Sequence, residues 1–212
     1  MSEEKRPIQV FVIEDHTIVR QGLVALMETA DDLTVVGEAG DGRTAIEAFE
    51  TGATGPVDVV LCDLALPGLS GLEVIRRVQL MNEPPRVVVL SMYHDPVWVK
   101  RALDAGASGY LLKGSGVRDV LDAVRAVAAG ESYLSPMANR AAEAEPLTDR
   151  EREVLALIAQ GHTSKEMGSI LGISPRTAEH HRARIMNKLN IGDVAGLTRY
   201  AIRTGLVDEN LR

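Results

Sequence analysis

The stretch Val57–Gly71 reads VDVVLCDLALPGLSG. An apolar run, Val59 to Cys62 with Val57 ahead of it, leads straight into Asp63. A short run that is apolar at every position predicts a strand covered on both faces, as in a parallel sheet. A lone carboxylate at the end of such a strand is costly unless something positive meets it. Asp63 either caps the turn that follows, a place aspartate favours, or belongs to a charged site whose other members lie elsewhere in the chain.

Working outward, four more segments read the same way: IQVFVI (8–13), LTVVGEA (33–39), RVVVL (86–90) and SGYLL (108–112). Between and after them, helical periodicity runs over about 15–30, 41–52, 70–82, 95–106 and 115–129. Five strand–helix repeats predict one doubly wound α/β domain with a five-stranded parallel sheet. Such sheets bind ligands at the carboxyl ends of their strands.

Those ends carry a pattern. The first predicted strand runs into Glu14-Asp15, the third into Asp63, the fourth into Ser91 and the fifth into Lys113. Singly, each has an ordinary explanation as a helix cap, a turn residue or a solvated charge. Together they bring three carboxylates, a hydroxyl and an ammonium to one edge. Crowded carboxylates resist ionisation, and a hard divalent cation, Mg²⁺ or Mn²⁺, relieves this with a few carboxylates, water and phosphate oxygens. Asp63, on the central strand of the set, is placed to act as a nucleophile and form an aspartyl-phosphate. The cation and Lys113 would neutralise the phosphoryl oxygens, and Ser91 would donate to one of them.

The chain has 212 residues, 45% hydrophobic and 25% charged, with formal net charge −7, an ordinary globular balance with length for one large or two small domains. No apolar run of about 18 residues or more occurs, so no membrane span is expected. The N-terminus has no signal-like apolar core, and a cytoplasmic protein is expected. The single cysteine, Cys62, excludes an internal disulfide and a multi-cysteine metal site, and reads as buried filler. The charge is divided: residues 1–130 hold 12 Lys and Arg against 19 Asp and Glu, whereas residues 131–212 hold 11 of each. Within 174–203, Arg176, Arg182, Arg184, Lys188, Arg199 and Arg203 face only Glu179 and Asp193. The front is acidic and the back locally basic.

The last third reads as all-α. Thr148–Glu151 and Thr163–Glu166 are capping boxes. Ser174-Pro175 sets an N-cap before a first-turn proline. Gly161 and Gly172 stand where helices end, and a last helix runs from about Asp193 to Thr204 before Gly205. The expected domains are 1–130, a linker 131–146, and 147–212. Within the linker, YLSPMANRAAEAEP (133–146) has two prolines and little periodicity after Pro136, and reads as mobile.

Residues 8–130 resemble the receiver domain of two-component response regulators, on Glu14, Asp15, Asp63 in DLALPGLSG, Ser91 in VVVLSMY and Lys113 in GYLLK. Residues 147–206 resemble the LuxR-type helix-turn-helix, on LTDREREVLALIAQGHTSKEMGSILGISPRTAEHHRARIMNKLNI. Together the chain is similar to the NarL/FixJ type, a flavodoxin-like (CheY-like) receiver followed by a small DNA-binding domain. The resemblance implies that a sensor histidine kinase donates a phosphoryl group to Asp63. Glu14, Asp15, Asp63 and the carbonyl of Ala65 would hold Mg²⁺, and Ser91 and Tyr110 would form a switch pair. It also implies a transcription regulator rather than an enzyme, its chemistry limited to its own phosphorylation and dephosphorylation. Ala65 offers no group to position a hydrolytic water, so self-dephosphorylation is expected to be slow. Met92 stands where the wider receiver class has a small residue, and Ala178 replaces a usual valine.

In the helix-turn-helix, the second helix, about 175–189, would enter the major groove. Arg182 and Lys188 read as phosphate contacts, which position rather than specify. Glu179, His180 and Ala183 match groove-facing positions of the family, and Glu179 suits cytosine N4. Lys165 and Thr177 complete the expected DNA contacts. Adjacent His180 and His181 point apart on a helix and are not a metal pair. On the last helix, Leu197, Tyr200 and Ala201 match a face that often dimerises in the family, and a homodimer would read two symmetric half-sites in promoter DNA. Two other readings compete. An Mg²⁺-dependent phosphatase would need a second aspartate at Ala65, and a degenerate receiver would lack members of the acid, hydroxyl and lysine set.

Overall fold

The computed structural model describes residues 6–143, 147–189 and 191–207. It divides into two compact units, Met1–Ala142 and Glu143–Arg212.

In the first unit, strands β1 (Ile8–Ile13), β2 (Leu33–Ala39), β3 (Val59–Cys62), β4 (Arg86–Ser91) and β5 (Gly109–Leu112) alternate with helices α1 (Thr17–Glu28), α2 (Gly42–Glu50), α3 (Gly71–Val78), α4 (Pro96–Asp104) and α5 (Val117–Ala128). A short strand, β6 (Tyr133–Leu134), and helix α6 (Pro136–Glu143) follow. The sheet is parallel in the order β2-β1-β3-β4-β5-β6. The all-apolar strands are explained by cover on both faces. Val10, Val12, Leu61, Val88 and Leu111 meet Leu23 and Met27 of α1 and Val120, Val124 and Val127 of α5. Phe11, Ile13, Val60, Cys62, Val87 and Val89 meet Ile46 of α2, Val74, Ile75 and Val78 of α3, and Val99 of α4. Each such burial contributes roughly 1.5–3 kcal/mol. The chain leaves β1 for β2 on one side and later fills β3 on the other, so the loops after β1 and β3 part and open a crevice at their carboxyl ends.

Two expectations need correction. Among the described residues the sheet has six strands rather than five. Residues 133–143, read as part of a mobile linker, form β6 and α6. The Tyr133 N–H donates to the Ser108 carbonyl at 3.1 Å and the Ser135 N–H to the Tyr110 carbonyl at 2.9 Å. Ala138 and Ala141 are buried in the same cluster as Tyr110 and Val99. Of the expected linker, 144–146 lie outside the described residues.

The second unit contains α7 (Asp149–Ala159), α8 (Ser164–Leu171), α9 (Pro175–Leu189) and α10 (Val194–Arg203). Both expected capping boxes are present, at Thr148–Glu151 and Thr163–Glu166. Ser174 accepts from the Thr177 N–H at 3.0 Å and starts α9. Gly172, at φ 65°, turns the chain between α8 and α9 in the left-handed region that glycine tolerates. Gly168 lets that turn close in: a Cβ there would lie 2.7 Å from the Ile173 carbonyl oxygen. Val154, Leu155, Ile158, Met167, Ala178, Ile185, Leu197 and Tyr200 are buried. No helix among the described residues is long and apolar enough to cross a membrane.

Candidate functional site

The crevice of the first unit holds the residues the strand ends promised. Glu14 is 1% exposed and Asp63 3% exposed, and both are met by one cation. Lys113 Nζ lies 2.7 Å from Glu14 Oε2 and 2.7 Å from Asp63 Oδ2. The second oxygen of Asp63 accepts the Ala65 N–H at 3.1 Å. Both oxygens of the buried carboxylate are therefore engaged, and the cost of placing it there is offset by a charge and a backbone donor. Burial pulls the Lys113 ammonium toward neutrality, but hydrogen bonds and charge from Asp63 and Glu14 outweigh it and hold its pKa above the ordinary value. Gly71 allows this arrangement: a Cβ there would run into the Asp63 carbonyl oxygen.

His16 joins the cluster, and sequence reasoning missed it. Its Nδ1 lies 3.1 Å from Glu14 Oε1 and 2.7 Å from Asp15 Oδ1, the latter close in distance without the alignment of a hydrogen bond. Bonding to Glu14 and the charge of Asp15 raise the imidazole pKa above 6.5. The signal was its position, directly after the acid pair. Glu14, Asp15, His16 and Asp63 each offer one ligand atom, and these atoms lie within 4.8 Å of one another. Three hard carboxylates at that spread fit a small divalent cation.

Ser91 and Tyr110 lie deeper and are linked through the backbone of one residue, Tyr93. The Tyr93 N–H donates to Ser91 Oγ at 3.1 Å, and the Tyr110 hydroxyl donates to the Tyr93 carbonyl at 2.6 Å. Burial pushes the Tyr110 hydroxyl well above its ordinary pKa, against the opposing pull of a hydrogen bond with Ser91. Tyr93 carries no side-chain signal in the sequence, because its contribution is backbone. Its ring stacks on Trp98 with centroids 4.8 Å apart. Met92 beside it is exposed, and Cys62 is fully buried with its thiol pKa pushed up by burial.

In the second unit, Lys165, Thr177, Glu179, His180 and Ala183 are exposed and Arg182 is half-buried. Thr177 also pairs its hydroxyl with Ser174 at 2.8 Å. Lys188 does not fit the expected set. It is 11% exposed, and its Nζ lies 2.9 Å from Glu151 Oε2. Its charge is engaged inside its own domain. The expected dimer face lies inward. Leu197, Tyr200 and Ala201 are all buried within the described residues of their own unit, so the outward side of α10 is Val194, Ala195, Arg199 and Arg203.

Glu151 is more than a capping residue. It is 2% exposed, receives the Thr148 N–H at 2.9 Å and lies 3.3 Å from Arg184 Nε. Burial would raise its pKa, yet the Thr148 bonds and Lys188 hold it below the ordinary 4.5. A lowered carboxylate pKa stabilises the fold fully above its unfolded value, and the stabilisation is lost as pH falls through the folded value. The second unit is expected to melt at progressively lower temperature below about pH 4.5, and less steeply so in Glu151→Gln. Calorimetry across that range checks it, and equal slopes would remove Glu151 from the account.

A parallel doubly wound sheet with buried acids bridged by lysine at its carboxyl edge, followed along the chain by a helix-turn-helix, defines a regulator built from a receiver and a DNA-reading module. The family model "Response regulator receiver domain" matches residues 10–125, and "Bacterial regulatory proteins, luxR family" matches 145–201. The chain belongs to the response regulators of this two-domain, NarL/FixJ type. It is 39% identical to the transcriptional regulatory protein MctR of Rhizobium johnstonii, over 97% of this chain and 98% of that one. It is 36% identical to the transcriptional regulatory protein LiaR of Bacillus subtilis, over 95% and 100%. Among solved structures it is similar to RcsB from Salmonella enterica serovar Typhimurium bound to promoter P1flhDC in the presence of the phosphomimetic BeF3⁻. That match has a TM-score of 0.71 and 26% identity, covering 92% of this chain and 98% of that one.

Proposed function

We propose that this protein accepts a phosphoryl group on Asp63 from a sensor histidine kinase in the cytoplasm and, as a homodimer, binds promoter DNA to regulate transcription. The observation that carries this reading is the pairing of buried Asp63 and Glu14 through Lys113, in a chain that also carries a helix-turn-helix. Glu14, Asp15, Asp63 and the Ala65 carbonyl would hold Mg²⁺, which would supply charge neutralisation at the phosphoryl oxygens. Lys113 is the residue that follows the charge. It meets Asp63 Oδ2 before reaction and would remain beside the same oxygen afterwards. Ser91, drawn toward a new acceptor, gives up its bond from the Tyr93 N–H, and a shift of Tyr93 passes the change through its carbonyl to Tyr110. Two discrete arrangements of that hydrogen-bonded chain would make the element bistable.

DNA contact falls to α8 and α9, through Lys165, Thr177, Glu179, His180, Arg182 and Ala183, with Glu179, His180 and Ala183 toward the bases. A dimer through α10 would use its outward residues Val194, Ala195 and Arg199. The test is intact mass after acetyl phosphate with Mg²⁺, followed by gel shift on the promoter of the protein's own operon. One phosphoryl adduct with tighter, two-site binding supports the reading. No adduct, with DNA binding unchanged by Asp63→Ala, favours a degenerate receiver. Ala65 is exposed beside Asp63 and brings only a methyl group to the pocket. The adduct is therefore expected to outlast that of Ala65→Asn or Ala65→Glu when decay is followed by mass. Equal or faster decay in the wild type would overturn this.

A further inference from the structure

The positive charges of α9 are not equally available. Arg176 and Arg182 have no anionic partner described, whereas Arg184 and Lys188, one helical turn apart on the same side, both turn to α7. Glu151 divides its carboxylate between them, with Oε1 3.3 Å from Arg184 Nε and Oε2 2.9 Å from Lys188 Nζ. Arg184 is 56% exposed, so it is held only at one edge of its guanidinium. Glu151 also has its place fixed by the Thr148 capping box, so the anion cannot swing away from the pair.

We infer that Glu151 is a positioning residue for DNA reading: it holds Lys188 and one edge of Arg184 against α7 and so keeps them off the phosphate backbone. This rests on the DNA-binding reading above. The physical reason is the arithmetic of phosphate contacts. Each phosphate neutralised steepens the salt dependence of binding by about 0.9 and adds affinity for any sequence alike. A recognition helix with every cation free would bind duplex indiscriminately. Withholding two cations leaves more of the binding to the residues that face the bases, Glu179, His180 and Ala183. Long lysine and arginine stems need only rotate to bring their heads out once the anion is removed.

The test uses the full chain, with and without acetyl phosphate and Mg²⁺, and a labelled mixed-sequence duplex followed by anisotropy over a range of KCl. Glu151→Gln keeps a side chain that can complete the capping box but removes the charge. Its binding is expected to be several-fold tighter at low salt, with a log–log slope steeper than wild type by about one to two. Adding Lys188→Met to that variant should return about one of those steps. Lys188→Met alone should leave the wild-type slope unchanged. An unchanged slope in a folded Glu151→Gln, or a slope lowered by Lys188→Met alone, overturns the inference. If Glu151→Gln does not fold, Lys188→Met alone decides. If the wild type binds no duplex at any salt, the DNA-binding reading itself fails and this inference with it, an outcome distinct from equal slopes.

Discussion

Asp63→Asn abolishes both the phosphoryl adduct and the Trp98 response to acetyl phosphate, while the protein stays folded. The expectation rests on the engagement of both Asp63 oxygens. Oδ2 faces Lys113 and Oδ1 accepts the Ala65 N–H. Asparagine keeps the shape, so packing at the end of β3 survives, but it lacks the anionic oxygen that attacks phosphorus. The optical readout has a structural path. Trp98 stacks on Tyr93, and the Tyr93 backbone is bonded to Ser91 through its N–H and to Tyr110 through its carbonyl. Trp98 is the only tryptophan of the chain, so the signal has one source. In the wild type, an adduct by intact mass and an Mg²⁺-dependent fluorescence change should rise together. An adduct on Asp63→Asn would place the acceptor elsewhere. A fluorescence change in that variant without an adduct would detach Trp98 from the phosphoryl group.

Lys113→Met destabilises the first unit by about 3 kcal/mol in the absence of divalent cation, and Mg²⁺ restores much of that loss. Lys113 is the cation described between two nearly inaccessible carboxylates, Glu14 and Asp63. Removing one partner of a buried ion pair typically costs about 3–5 kcal/mol, because the remaining charge is left uncompensated. The low end applies here, since Lys113 is 15% exposed and the crevice is open to water at Asp15. A bound cation stabilises the native state in proportion to its concentration over Kd, and the variant should gain more from Mg²⁺ than the wild type does. Urea titrations of both proteins, with and without Mg²⁺, measure all four stabilities. Equal gains would show that Lys113 and the cation act independently.

The doubly wound fold was legible because its strands are apolar throughout and its carboxylates, hydroxyl and lysine stand where those runs stop. The three helix starts of the second unit were legible because capping chemistry is local: Thr148, Thr163 and Ser174 each satisfy donors within three residues. The same local signal was overlooked at Ser135-Pro136, where the Ser135 carbonyl accepts the Asn139 N–H at 2.8 Å and α6 begins. Strand β6 had no such signal to read. Two residues cannot show a period, and Tyr133 and Leu134 become a strand only because the edge of β5 offers them backbone partners.

By itself the sequence determined the order of elements, the two kinds of domain, and the set of acids, hydroxyl and lysine at the sheet edge, since these follow from periodicity, caps and turns within a few residues. Tertiary structure alone decided which charges meet. Glu151 lies 37 residues from Lys188 in the chain but 2.9 Å from it in space, so a lysine that reads as a phosphate contact has an internal partner that spacing does not show. Leu197, Tyr200 and Ala201 share one helical stripe in either reading, and only the packing of α7 against α10 shows that the stripe faces inward. The reason is the same in both cases. Helical spacing defines a face, but what covers that face, or pairs with its charges, is set by contacts distant in sequence.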